Sequence, residues 1–158
     1  MKNKWMIVRV AGVCLLLGST VTAAHTYNPI KWIKKGPAPT ASEQLAANKE
    51  QNKKLSVQLQ AVLPPRTSLK DACAGFKSLN DCVATLHVSH NLQIKFNCLK
   101  WDVTGAKPAG DVKSCEAPSR DKAMDLSKAI RDLKPDAHSR TEAKTAEKRA
   151  REDIKDAS

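Results

Sequence analysis

Large apolar residues crowd into two stretches, 10–17 and 69–133, and what lies between and after them is polar, charged or broken by proline. The first stretch is an unbroken run with neither a helical nor an alternating period. The second carries apolar steps of three and four residues, the spacing that puts side chains on one helix face. Between the two, residues 40–63 predict a helical arm, with Thr40 and Glu43 forming a capping box at its start and Pro64-Pro65 ending it. Leu45, Asn52 and Leu59 recur seven residues apart, with Asn48, Leu55 and Val62 as the companion seam. Such a helix docks on its own domain, frays in solution or pairs with a second copy as a homodimer, and the pattern leaves these open.

The dense stretch predicts several short helices. Ser68 caps one that ends at Gly75, and Ser78 or Asn80 caps another over 81–90, where Val83, Leu86, His87 and His90 share a face and Asn91 marks the stop. Leu92, Ile94 and Phe96 alternate like an extended connector, and Asn97 caps a helix over 98–103 closed by Thr104-Gly105. Residues 106–118 read as a loop. Ser119 then caps a helix over 120–133 with Ala123, Leu126, Ile130 and Leu133 on one stripe and Pro135 after it. Residues 136–158 are rich in alanine and charge with Ile154 as the one large apolar residue, which predicts a solvated helical tail. The fold class is therefore mainly α: a small helical domain over 66–135, flanked by an N-terminal helix and a charged C-terminal helical tail.

The first apolar run changes that picture by its flanks. Lys2, Lys4 and Arg9 precede it without an acid, and small residues from Val21 to Ala24 follow it, so 1–24 read as a secretory signal peptide. The uncharged run is shorter than the ~20 residues a membrane span needs. Cys14 leaves with that segment, and Cys73, Cys82, Cys98 and Cys115 remain. An even number of cysteines in an exported chain predicts two disulfides, with all three connectivities open. A core drawn from about 65 residues needs such staples. The expected localisation is periplasmic or secreted.

Charge narrows the partners. The 27 Lys and Arg against 16 Asp and Glu give +11, which falls to +8 once Lys2, Lys4 and Arg9 are removed. The excess lies in the front and middle, because the tail from Asp136 is balanced. That charge favours anionic surfaces such as lipid headgroups, envelope polymers or free nucleic acid without selecting between them, so the expected partner is an anionic envelope component or a protein. Nucleic acid is disfavoured, since aromatics for stacking are scarce and no binding motif is present. Residues 25–39 form a proline-broken linker in which Trp32 sits among Lys31, Lys34 and Lys35, a mixture suited to a membrane surface.

Catalytic motifs are absent: there is no GxSxG, HExxH, P-loop or GxGxxG, and no cofactor is indicated. The one metal-like grouping is Cys82, His87 and His90 on a single helix, with the two imidazoles at i and i+3. Against it, the cysteine is expected in a disulfide and no fourth ligand is in register. A half-buried His87 and a helix-terminal His90 need no metal.

The stretch from Asp81 to Leu92, with Phe96-Asn-Cys-Leu-Lys100 and Val103-Thr-Gly105, resembles a group of exported bacterial proteins without an assigned activity. Residues 126–135 and 146–153 resemble the same group's C-terminal part. The resemblance implies that 68–135 is the folded unit and carries no functional residue across. Taken together, the residues predict an exported, non-enzymatic interaction or structural module of the bacterial envelope. A metal-binding protein using His87 and His90, or a polyanion binder, is the alternative.

Overall fold

The computed structural model describes residues 37–109, 112, 115 and 122–158, all of which lie in one compact unit. The leader and the linker as far as residue 36, Trp32 included, fall outside the described residues. Among the described residues there are seven helices and no strand: α1 Ala41–Ala47, α2 Lys49–Gln58, α3 Leu69–Cys73, α4 Leu79–Leu92, α5 Phe96–Thr104, α6 Leu126–Leu133 and α7 Ser139–Asp156. The mainly helical, disulfide-stapled architecture is as the sequence predicts. Its internal arrangement differs in several places, one being α5, which starts at Phe96 after Lys95 with no side-chain cap bond and not after a capping Asn97.

α4 is the axis. The seven consecutive residues from Cys82 to Val88 are all buried, so this helix is covered on every side rather than along one stripe. α1, α3, α5, α6 and α7 all pack against it. Its ends are well satisfied. Ser78, not Asn80, caps the start by accepting from the Asp81 N–H at 3.1 Å. At the other end Gln93 adopts a left-handed conformation (φ 56°), and the Lys134 ammonium donates to the Leu92 carbonyl at 2.9 Å. The expected extended connector is thus absent: α4 continues through Leu92, and only three residues separate it from α5.

The predicted single helix over 40–63 is two. The Thr40–Glu43 capping box is present, but Asn48 (φ −124°, ψ 91°) ends α1 and caps α2, its side chain accepting from the Gln51 N–H at 3.0 Å. An asparagine that can bond to its own downstream backbone competes with helix continuation. The break turns Leu45, Leu55 and Leu59 into the core, where each is at most 1% exposed. The seam leucines are therefore engaged within the chain.

The tail is not solvated. Among the described helices, α7 makes its most extensive pairing with α4, and it also touches α2 and α6. Ala143, Ala146, Ala150 and Ala157 are at most 3% exposed. The expectation failed because it counted large apolar residues. A row of methyl groups lets two helix backbones approach closely, and the buried partner surface comes from α4. Gln51 of α2 fastens the far end through Ser158 Oγ at 2.8 Å and the Ile154 carbonyl at 3.3 Å.

The last correction is α6, which begins at Leu126 with Asp125 as its cap rather than near Ser119, a residue outside the described ones. Residues 122–125 instead lie against the end of α5: the Met124 N–H donates to the Asp102 carbonyl at 2.9 Å. Ala123 is accordingly exposed, off the buried stripe.

Candidate functional site

Two arrangements bring chemistry-bearing side chains together. The first lies where α3 ends. Five residues make α3 too short to satisfy its own carbonyls, and the ammonium of Lys100, reaching across from α5, donates to the carbonyls of Asp71 (3.1 Å) and Ala72 (2.9 Å). A cation at this end also suits the helix dipole. The same nitrogen stands 6.0 Å from the ring centres of both Phe76 and Phe96, which stack on each other at 6.4 Å. Lys100 is half-buried here, and burial pushes its pKa below the ordinary lysine value, with the charge of Asp71 opposing the shift.

Beside it opens a groove of about 700 Å³, walled by Pro64, Pro65, Phe96 and Pro108, with Lys100 and Lys107 as its cations and Asp71 as its acid. Both helices that form it are fastened by disulfides. Cys73 of α3 is bonded to Cys82 of α4, and Cys98 of α5 is bonded to Cys115, with Cα separations of 5.3 and 5.4 Å. The three connectivities open to the sequence thus reduce to this one.

The second arrangement is a histidine–carboxylate hydrogen bond between two helices. The alanine stripe of α7 steps by three and four from 143 to 157, and the remaining position in that register is Asp153. It faces His87 of α4, with Asp153 Oδ2 2.6 Å from His87 Nε2. The side chain of His87 is only 4% exposed. Proximity to a carboxylate makes Nε2 the protonated, donating nitrogen. The other ring nitrogen, Nδ1, is buried without a hydrogen-bond partner among the described residues, so no hydroxyl or thiol is paired with it there. The pair therefore works as a clasp between two helices.

His87 and His90 do not converge. His90 is exposed at the last turn of α4, its Nδ1 3.5 Å from Asn91 Oδ1, whereas His87 points into the α4–α7 interface. The sulfur of Cys82 is held in its disulfide. Among the described residues no group of three or more His, Cys, Asp or Glu side chains could hold a metal. Trp32, Lys31, Lys34 and Lys35 lie outside the described residues. Two residues escaped sequence reasoning. Lys100 has no local signal, because its contacts depend on where α3 sits. Asp153 did have one, as the acid set in register within an alanine stripe. No protein-family model, curated protein or solved structure matches the chain.

Proposed function

We propose that this protein is an exported, non-enzymatic interaction module of the bacterial cell envelope, acting in the periplasm or after secretion on an anionic envelope component. The observation that carries this reading is the placement of charge on a stapled body. Between residues 37 and 109, eight Lys and Arg side chains are exposed against four exposed acids. A helical body with an excess of exposed positive charge attracts lipid headgroups and acidic polymers without a dedicated motif. Two closed disulfides fit a non-cytoplasmic compartment. No helix among the described residues is long and apolar enough to cross a membrane. The leader-like first 24 residues and the resemblance of 81–92, 96–100, 103–105, 126–135 and 146–153 to exported bacterial proteins support the same reading.

The test is co-sedimentation of the purified chain lacking residues 1–24 with vesicles of phosphatidylglycerol and phosphatidylcholine, at low and high salt, beside duplex DNA. Binding to the anionic vesicles that weakens with salt and exceeds binding to DNA is expected. Equal or stronger DNA binding would turn the reading toward a general polyanion binder. Retention on neither would remove the anionic partner.

A further inference from the structure

We propose that the groove between the end of α3 and α5 binds an organic carboxylate, an anion with an apolar body, whose carboxylate pairs with Lys100. Half-buried charges are normally matched by an opposite charge. Among the described residues no carboxylate lies within ion-pair distance of the Lys100 ammonium. The nearby Asp71 carboxylate is engaged at the start of α3, where Ser68 Oγ donates to it at 2.5 Å. Lys100 uses two of its three N–H donors on the Asp71 and Ala72 carbonyls, which leaves one. An incoming carboxylate would accept that third bond and supply the missing charge. The lowered pKa of Lys100 agrees with this, since burial disfavours its charged form by more than the charge of Asp71 restores.

The groove selects more than charge. About 700 Å³ is within the range that holds a small organic ligand. Its lining joins rigid apolar surface from Pro64, Pro65, Pro108 and Phe96, which a hydrated inorganic anion cannot use, to the polar Thr67, Asn97 and Thr104 and to one carboxylate, Asp71, which accepts from Ser68 Oγ. Lys107 stands among the lining residues with its ammonium 5.7 Å from the Trp101 ring, a second cation for the ligand's polar end. The turn that carries one wall is strained: Arg66, directly after Pro64-Pro65, has φ 60°, a conformation costly for a side chain of that size. Strain of this kind gathers where a surface is held in shape for a ligand. The two disulfides hold the flanking helices in place before binding, which reduces the ordering cost.

This proposal deepens the preceding reading and rests on it only in taking the protein to be a binder. The experiment is titration of ¹⁵N-labelled full mature chain with benzoate and hexanoate, and in parallel with benzamide, hexanamide and inorganic phosphate. Both carboxylates should shift the amides of Ala72, Phe96, Lys100 and Thr104, and bind about tenfold tighter than their amides. Lys100→Met, which keeps the stem between the rings, should remove that preference. Lys107→Met, at an exposed position, should weaken binding less. Equal binding of acid and amide to the unaltered chain overturns the proposal without recourse to any variant. So do shifts that fall along α7 instead of the groove, an affinity for phosphate equal to that for benzoate, or no saturable shift. Vesicle binding that survives Lys100→Met while the carboxylates fail would sink the groove and leave the surface reading intact.

Discussion

At the level of single residues, three side chains and one missing side chain control local stability. Gly105 closes α5 at φ +69°, and a Cβ there would lie 2.6 Å from the Ala123 backbone nitrogen. Gly105→Ala therefore adds a clash to an unfavourable left-handed conformation, and should destabilise the fold by about 2 kcal/mol in urea denaturation. The His87–Asp153 pair should behave as a coupled unit. His87→Ala and Asp153→Ala are each expected to cost about 2 kcal/mol, and the double variant clearly less than their sum, because either one removes the shared bond. An additive double variant would show that the two do not communicate. Lys100 gives a pH signature. Its folded pKa lies below the ordinary 10.5, so between the two values the unfolded chain holds more protons, and stability rises with pH through that window. Denaturation midpoints measured upward from pH 8 should show this rise in the parent chain, and Lys100→Met should lack it.

Helix ends and helix faces set the next level. Asp125 caps α6 by accepting from the Lys128 N–H at 3.0 Å, and its carboxylate also accepts from Ser127 Oγ at 2.7 Å. The Ser127 bond is the main reason its pKa falls below the ordinary 3.8, with burial opposing. A carboxylate with a depressed folded pKa adds stability above its unfolded value and loses it as pH falls through the folded one. Asp125→Asn keeps an acceptor for the cap and should flatten this acid limb; a limb unchanged by Asp125→Asn would assign the acid loss to other carboxylates. On α7 the stripe of small side chains is the fitted surface. Ala150, which is 0% exposed, has no room for a larger group, so Ala150→Leu should cost about 1–3 kcal/mol by overpacking. A neutral result in thermal melting would mean that α7 sits loosely on α4.

Over the whole molecule, the disulfides and the C-terminal helix do what a larger core would do elsewhere. The two bridges join residues 9 and 17 apart in sequence. Each such loop should contribute about 3 kcal/mol by restricting the unfolded chain. The contribution is a large part of the margin available to a domain of this size. Through α7, the last residues of the chain close over the most buried helix, and Gln51 ties them to α2. The second and last described helices are thereby joined, while α1 and α7 each pack on α4.

The amino-acid order alone determined the helical class, the Thr40–Glu43 box, the Ser68 cap, the closure at Gly105 and the stop before Pro135, because each depends on residues within one turn of each other. It also determined that four cysteines would form two bonds. Which cysteines pair, where Asn48 breaks the arm, that Lys100 ends α3, and that α7 lies on α4 were decided only in three dimensions. In the α7 case a face of alanines buries little area of its own. It becomes a core face only when a neighbouring helix supplies the other half, and that half lies more than fifty residues earlier in the chain. Lys100 follows the same logic: a lysine becomes half-buried and short of a counter-charge through what packs around it, and no local pattern in the sequence records that.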